Sequence, residues 1–383
     1  MGRPIISIAP GERGGFTDED ILDMSVAYLT SAGRTQSQIK EILGFNSQAE
    51  VSRALGRALG EKNFVTQWVM NWPQDAPRDR IEGASFPELP HLRNLLDDLG
   101  RQQSGVTLNS LHVLYCGDAT TSYESRLEAF GRGAADRLVP LLRQESTGTC
   151  AVAWGRTIRA VVDKIPEDAG RREHLVFMPI SGEPFNHRDT GVSPTAAAQR
   201  LANSFGASQA TLSLQGVPAR IPKRFDEDAS TVRDFLNSIH DYKCLLGEPE
   251  FLLSKVDMIL TGVGDAASSE NDPWCRETIK AEGLDATTLN SLAVGNIGGV
   301  WMSRSASEDG QVNRINKRWL GIQKEHFEDC ASRAATHGSD SPPGVVLVAA
   351  GPTKAAIVRA TIGMVNHLII DRTLAEQLYG LMK

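Results

Sequence analysis

The sequence predicts an α/β fold, with an N-terminal helix-turn-helix followed by a larger domain built around a parallel sheet. Helical periodicity dominates residues 18–70, whereas short β-branched runs alternate with helical segments from about residue 91 to the end. These runs are continuously apolar, which is typical of parallel strands covered by helices on both faces. Four prolines between 71 and 90 separate the two patterns. We therefore expect an N-terminal domain at 1–72, a linker at 73–90 and the large domain at 91–383.

The large domain alternates between strand-like and helical segments. The strand-like runs lie at 111–117, 149–155, 174–181, 210–216, 256–264, 343–351 and 367–371. Helical patterns lie between or after them at 125–144, 157–165, 193–206, 353–363 and 372–382. Ser193 followed by Pro194 is typical of a helix start, because the serine side chain accepts from free N–H groups and proline lacks one.

The composition is that of an ordinary globular protein. The 383 residues carry a formal net charge of −7, which argues against non-specific coating of nucleic acid but allows a small positive docking face. The five cysteines are scattered and form no C-x-x-C pair, which favours reduced thiols in a cytoplasm. No apolar run reaches the length of a membrane span, and the first residues do not resemble a signal peptide. We expect a cytoplasmic protein with no membrane segment, cofactor or metal.

Two capping boxes mark the helices of the helix-turn-helix. Thr35 stands three residues before Gln38, and Ser47 three before Glu50, a spacing at which side chains satisfy each other's backbone N–H groups. Gly44, between the two helices, suits the left-handed turn that ends a helix. In the second helix, apolar residues recur at helical spacing and predict a core-facing stripe of Val51, Ala54, Leu55, Ala58 and Leu59.

The opposite face of this second helix is short-chained or polar. It carries Gln48, Ala49, Ser52, Arg53 and Arg57. Such a helix fits the major groove of DNA, with its first turns on base edges and its arginines on guanine or phosphate. The segment NFVTQWVM after it is predicted to be extended and is a candidate wing. The same spacing suits a small helical bundle whose polar face is merely solvated, and the pattern alone does not decide between the two.

The pattern resembles the N-terminal region of the SorC family of bacterial sugar-responsive transcription regulators. That family has T-Q-x-x-I-A-x-x-L-G before the turn and V-S-R in the recognition helix. The chain matches it at Thr35, Gln36, Ile39, Leu43, Gly44, Val51, Ser52 and Arg53. It departs at Lys40, where the family has alanine, and at Asn63 and Phe64, which replace a Gly-Ile pair next to the wing. The resemblance adds Thr35 and Gln36 to the expected DNA-binding residues.

Later segments resemble the effector domain of the same family, in the same order. The W-G-x-T element is Trp154-Gly155-Arg156-Thr157, and the V-G-[IV]-G strand end is TGVG at 261–264. An A-V-G-D-I-x-G element is AVGNIGG at 293–299, in which Asn296 replaces the acid. An A-G-G-x-x-K element is AGPTK at 350–354, and N-x-L-I-x-D lies at 366–371. The resemblance therefore covers most of the chain.

The resemblance implies a three-layer effector domain similar in fold to sugar-phosphate isomerases and aminosugar-phosphate deaminases. It also implies dimers or tetramers that bind double-stranded operator DNA, and an effector that is a sugar phosphate or a phosphorylated relative. In the family, the acid at the Asn296 position contacts the ligand. An amide still bonds a hydroxyl but brings no charge, so the effector of this chain is expected to differ from the usual ones.

The residues themselves also indicate an anion site. Gly155, Arg156 and Thr157 lie between a strand and a helix, where free N–H groups, a hydroxyl and a guanidinium favour a phosphate. A tight connection that needs only a glycine and a cap gives the same pattern. Among the remaining expected effector contacts, Ser181, Gly182, Gly264 and Asp265 follow strand ends, and Lys354 lies near the start of a helix. Asn296 is the last of them, and we expect it to lie with Gly295 and Gly298 in a flexible loop.

The leading hypothesis is a DNA-binding transcription regulator controlled by a phosphorylated sugar. The alternative is an enzyme, a sugar-phosphate isomerase or deaminase with a helical N-terminal extension. The sequence shows no persuasive acid–base pair for it and no catalytic residue is assigned. A third possibility is a binding protein whose helix-turn-helix serves only dimerisation. His326 and Cys330 are four residues apart, but two ligands without a third do not make a metal site.

Overall fold

The computed structural model describes most of the chain. The described residues are 16–31, 34–62, 64–66, 69–70, 81, 86, 88–117, 121–183, 193–207, 212–226, 228–247, 252–267, 272–336 and 341–383. They divide into two compact units, one from within 1–90 and 112–126 and the other from within 91–111 and 127–383. Most of the expected linker lies outside the described residues. Within it, Ile81 and Phe86 are buried and a helix begins at Leu89.

The first unit contains the predicted helix-turn-helix. Its helices are α1 (Asp18–Ser31), α2 (Gln36–Leu43) and α3 (Gln48–Gly56). Thr35 and Gln38 form the complete capping box, and Gly44 takes the left-handed conformation with a φ of 70°. The second box is only half formed. Ser47 accepts from the Glu50 N–H, but the Glu50 carboxylate accepts from Asn46 N–H at 3.0 Å instead.

A single π turn (Arg57–Glu61) follows α3 and changes the direction of the apolar stripe. Val51, Ala54 and Ala58 are completely buried, as predicted. Leu59 is 37% exposed, because the wider π turn rotates it out of the register of α3. The candidate wing is a short antiparallel hairpin of β1 (Val65–Thr66) and β2 (Val69–Met70).

A buried carboxylate links α1 to the π turn. Asp23 has no exposed side-chain surface, and it accepts from Arg57 Nη2 at 2.6 Å and from Lys62 Nζ at 2.8 Å. Lys62 also donates to Asp20 at 2.7 Å. A carboxylate taken out of water is stable only when paired and hydrogen-bonded. These pairs therefore fix the π turn against α1.

The larger sheet of the protein has six strands. The strands are β3 (Ser110–Leu114), β4 (Thr149–Val152), β5 (Val176–Pro179), β6 (Met258–Thr261), β10 (Gly344–Ala349) and β11 (His367–Asp371). Their order is β3-β11-β10-β6-β4-β5, and the neighbours from β11 to β5 are parallel. β6 and β10 are buried along their whole length. The predicted parallel sheet is confirmed.

Twelve further α-helices lie within the described residues. They are α4 (Leu89–Ser104), α5 (Tyr123–Leu142), α6 (Arg156–Val162), α7 (Pro194–Ser204), α8 (Ala229–Leu236), α9 (His240–Leu246), α10 (Pro273–Glu282), α11 (Ala286–Leu292), α12 (Asp309–Lys317), α13 (Lys324–Thr336), α14 (Ala355–Thr361) and α15 (Arg372–Met382). Ser193 caps α7 and Pro194 is its first residue, as predicted. No helix within the described ranges is long and apolar enough to cross a bilayer.

A smaller antiparallel sheet differs from the prediction. Its strands are β7 (Val263–Asp265), β8 (Ala293–Ile297) and β9 (Val300–Ser303). Gly295 and Asn296 were expected to lie in a flexible loop, but both are in β8, where Gly295 permits close pairing with β7. Gly298 lies in the turn that follows β8. The expected strand at 210–216 is also wrong over 212–216, where the chain is irregular and then turns. Residues 210–211 lie outside the described part.

Candidate functional site

The first candidate surface is the outer face of α3. Gln48, Ala49, Ser52 and Arg53 are all exposed on it, while Val51 and Ala54 on the inner face are buried. No described residue pairs with the guanidinium of Arg53. Thr35 and Gln36 are exposed at the start of α2. Six of the seven expected DNA contacts thus remain accessible in this unit.

The seventh expected contact, Arg57, is engaged inside the protein. Its Nε donates to Asp23 Oδ2 at 2.9 Å, its Nη2 to Asp23 Oδ1 at 2.6 Å, and Glu19 lies 3.2 Å away. The bond to Asp23 raises the pKa of Arg57. The sequence grouped Arg57 with Arg53 because both follow the polar face, but the π turn directs Arg57 toward α1.

The second candidate site lies where four neighbouring parallel strands end. In the order of the sheet, β11 ends at Asp371, β10 leads to Lys354, β6 leads to Asp265, and β4 leads to Thr157. Ligands of open α/β sheets bind outside the carboxyl ends of the strands. The sheet therefore gathers segments that lie up to about two hundred residues apart in the sequence.

Lys354 and Thr157 meet at this edge. Lys354 Nζ lies 3.4 Å from Thr157 Oγ1, near the outer limit of a hydrogen bond. Gly155, with a φ of 119°, lets the chain turn from β4 into α6, and Arg156 is exposed beside it. Gly351 N–H donates to Asp371 Oδ1 at 2.8 Å and so fixes the turn that carries Lys354. We call Gly155, Arg156, Thr157 and Lys354 the cradle.

The electrostatics of the cradle centre on Lys354. Burial lowers its pKa, and the positive charge of Arg156 lowers it further. The carboxylates of Asp272, Asp371 and Asp265 act in the opposite direction. Asp371 and Asp272 accept from backbone N–H groups as helix caps, so their charge is partly satisfied. The cradle combines two cations with a hydroxyl, and the carboxylate of Asp265 lies near it.

Glycines bring Asp265 and Asn296 together on neighbouring strands. β7 and β8 pair Gly264 with Asn296 and Asp265 with Gly295. A side chain at Gly295 would meet the Gly264 carbonyl oxygen at 2.3 Å, and one at Gly264 would meet Asn296 Nδ2 at 2.5 Å. The glycines are therefore needed for packing. The Asn296 amide accepts from Gly299 N–H at 3.3 Å and donates to Cys275 Sγ at 3.7 Å.

A narrow cleft next to the cradle is walled by indoles. Its walls include Trp154, Trp274, Trp301 and Trp319. Trp154 and Trp274 stack with ring centroids 3.7 Å apart. Arg220 and Asn296 also line the cleft. We call it the indole pocket. Trp154, Asn296 and Gly299 lie in motifs noted in the sequence, whereas the other members come from separate segments without such a motif.

Comparison with known protein families identifies the second unit. A family model described as "Putative sugar-binding domain" matches residues 107–379, well over half of the chain. The chain belongs to this sugar-binding domain family. This confirms the sugar-binding effector domain that the resemblance noted in the sequence implies. No curated protein matches the whole sequence significantly.

Solved structures of transcription regulators share the fold. The full-length sorbitol operon regulator SorC of Klebsiella pneumoniae is 21% identical, with a TM-score of 0.54 over 96% of this chain and 100% of that one. A DeoR family regulator of Listeria monocytogenes is 19% identical, with a TM-score of 0.51 over 75% of this chain and 99% of that one. A regulator of Streptococcus pneumoniae is 18% identical, with a TM-score of 0.52 over 77% and 98%.

Two expected effector contacts of this sugar-binding domain are fully enclosed. Ser181 has no exposed surface, and its hydroxyl donates to the carbonyl of Gly182 at 2.9 Å. A side chain at Gly182 would meet the Val217 carbonyl oxygen at 2.4 Å. Both residues pack between segments instead of lining the indole pocket. His326 accepts from Gln323 N–H, and no group of metal-binding side chains occurs among the described residues.

Proposed function

We propose that this protein is a transcription regulator whose DNA binding is controlled by a phosphorylated sugar. The observation that carries the proposal is the union, in one chain, of a helix-turn-helix with an exposed polar α3 face and a domain of the sugar-binding family. The full-length SorC structure covers both parts of the chain and is titled as an operon regulator. That arrangement is what a ligand-gated DNA-binding protein requires.

In this proposal, α3 is the recognition helix. Gln48, Ala49 and Ser52 contact base edges, and Arg53 contacts guanine or phosphate. Thr35 and Gln36, at the start of α2, contact the DNA backbone, which positions the helix without reading sequence. The short hairpin of β1 and β2 is the wing. Arg57 acts through Asp23 and holds the end of the recognition helix in place.

The effector's phosphate occupies the cradle. Lys354 and Arg156 supply positive charge, while Thr157 and Gly155 supply a hydroxyl and a backbone N–H. Asp265 and Asn296 bond hydroxyls of the sugar. Ser181 and Gly182 are left out of the contact set because of their enclosure. Binding controls DNA affinity by favouring one arrangement of subunits in a dimer or tetramer, which requires different ligand affinities in the two arrangements.

We further propose a cytoplasmic binding protein in preference to a catalyst. The solved structures that share its fold are those of transcription regulators, and a regulator binds its ligand without converting it. Incubation of the protein with a panel of hexose and pentose phosphates, followed by chromatography, tests this directly. Recovery of every sugar phosphate intact is expected, and its conversion would favour the isomerase or deaminase alternative.

The DNA-binding part is tested on the intact protein with the DNA upstream of its own gene. Fluorescence anisotropy should show sequence-specific binding that weakens steeply as salt rises. Arg53→Ala should weaken specific binding at least about tenfold. Arg101→Ala is the matched control, because Arg101 is also exposed and, among the described residues, pairs only with Asp97 on its own helix. Equal binding by Arg53→Ala and Arg101→Ala would overturn the assignment of α3.

A further inference from the structure

The indole pocket contains buried hydrogen-bond donors with no partner. Arg220 is 2% exposed, and its Nε and Nη2 atoms have no acceptor within the described residues. The Trp274 Nε1 atom is likewise buried and without an acceptor. Leaving such groups unsatisfied costs roughly 1–3 kcal/mol each. Two unsatisfied side chains in one pocket point to a ligand that supplies the acceptors.

The guanidinium of Arg220 is held in a fixed orientation. Its Nη1 donates to Glu282 Oε1 at 2.6 Å and to the Ile315 carbonyl at 3.2 Å. Glu282 is shared with Arg318, which also donates to Asp226. The remaining donors, Nε and Nη2, lie on one edge of the planar guanidinium group and can donate to two neighbouring oxygen atoms. The pocket therefore presents two parallel donors from one side chain.

Acidic groups already offset the positive charge of Arg220. Glu282 and Asp226 pair with the two guanidinium groups, and Glu277 adds a third carboxylate to the lining of the pocket. Burial lowers the pKa of Arg220 only to about 10, so it stays protonated at neutral pH. The part of a ligand that enters the pocket therefore does not need a negative charge. Neutral oxygen atoms, such as those of adjacent hydroxyl groups, satisfy the free donors. The indole walls offer apolar faces to the C–H groups of the same molecule.

The pocket and the cradle are carried by the same segments. Trp154 of the pocket directly precedes Gly155 of the cradle. Asp272, which acts on the pKa of Lys354, caps the helix that carries Trp274. Asn296 lines the pocket and pairs through β8 with Gly264 next to Asp265.

We infer that the indole pocket binds the uncharged, hydroxylated part of the sugar effector, with adjacent hydroxyls accepting from Arg220 and Trp274. This inference rests on the proposed function, in which the phosphate of the same molecule occupies the cradle. Arg220 and Trp274 then determine which sugar is accepted, whereas Lys354 determines that a phosphate is present.

Three types of ligand distinguish sugar binding in the indole pocket from phosphate binding in the cradle, and all are tested on the intact protein. The probes are a panel of hexose and pentose phosphates, the same sugars without phosphate, and inorganic phosphate, each titrated by intrinsic tryptophan fluorescence. Trp274→Phe keeps the aromatic wall and removes only the Nε1 donor. Arg220→Lys keeps a positive charge beside Glu282 and removes the paired Nε and Nη2 donors. Melting temperatures of both variants verify that they fold.

Both variants should bind the best sugar phosphate more weakly, Trp274→Phe about fivefold and Arg220→Lys at least about tenfold. Both should bind inorganic phosphate as the wild type does. Lys354→Gln should show the reverse pattern, losing inorganic phosphate but retaining any binding of the unphosphorylated sugar. If folded Arg220→Lys and Trp274→Phe bind sugar phosphate normally, the pocket assignment is overturned while the cradle stands. If no sugar phosphate binds the wild type, the proposed function fails as well.

Discussion

Lys354 Nζ lies 3.4 Å from Thr157 Oγ1, although 197 positions separate the two residues. The contact exists because β4 and β10 flank β6 in the sheet and end at the same edge. A lysine at such a helix start is usually solvated, but this one is half-buried between charged groups. Because burial lowers its pKa, Lys354 loses its charge at a lower pH than an ordinary lysine, and the pH dependence of ligand binding measures this.

Anion binding should weaken as the pH rises, starting below the pH at which an ordinary lysine titrates. The pKa of Lys354 is lowered, chiefly by burial, so the positive charge is lost early on the alkaline side. Calorimetry of the best sugar phosphate between pH 7.5 and 10 measures this, because the phosphate is already a dianion throughout that range. Lys354→Arg should retain binding to higher pH. Identical profiles for the wild type and this variant would contradict a contact by Lys354.

Asp23→Asn should destabilise the helix-turn-helix unit by about 3 kcal/mol. The substitution leaves Arg57 and Lys62 without the buried carboxylate that both contact. Urea unfolding followed by circular dichroism measures the loss. Asp18→Asn is the control, since Asp18 is exposed on the same helix and should change stability little. An equal effect of the two substitutions would show that the buried pairs do not hold the π turn.

Gly299→Ala should perturb the indole pocket and the stability of the fold together. Gly299 has a φ of 88°, and a methyl group there would meet the Trp319 ring at 2.2 Å. We expect a loss of about 1–3 kcal/mol and a shift in tryptophan emission. Gly310→Ala on α12 meets nothing within 4 Å and should be neutral or slightly stabilising. Unchanged emission in Gly299→Ala would contradict the packing of Trp319 on this turn.

Of the five cysteines, Cys244 should react first with a maleimide in the native protein. Cys116, Cys150, Cys275 and Cys330 are buried, whereas Cys244 is partly exposed. Burial raises the pKa of Cys275 and Cys150, and it raises that of Cys330 to about 12, so their reactive thiolate forms are scarce. Mass spectrometry of labelled peptides measures the order. Rapid labelling of Cys330 under native conditions would contradict the fold around it.

Short sequence patterns predicted the features of the fold that neighbouring residues determine, such as helix ends and fully buried strands. Thr35 and Gly44 mark the ends of α2 because caps and left-handed turns demand particular residue types. Continuous apolar runs predicted β6 and β10 because both strands are buried on every side. Gly295 was taken for a loop residue. It permits strand pairing instead, which depends on a partner strand thirty residues away in the chain, whereas Gly298 does lie in a turn.

The candidate site was predictable only where a local motif carried it. Gly155, Thr157 and Lys354 lie in short motifs, and the structure brings Thr157 and Lys354 together. Arg57 has the same chemistry as Arg53, and only the π turn distinguishes their directions. Arg220 and Trp274 carry no sequence signal, because their importance arises from single buried donor atoms that have no acceptor among the described residues, a property of the folded protein alone.

The most direct test measures DNA affinity with and without sugar phosphates. The intact protein is titrated by anisotropy onto the DNA upstream of its gene, at fixed salt, with each member of the panel. At least one sugar phosphate should change the affinity fivefold or more, as about 1 kcal/mol of coupling requires. Lys354→Gln should bind the DNA alone as the wild type does but lose this response. An absence of specific DNA binding, or an undiminished response in Lys354→Gln, would contradict the account.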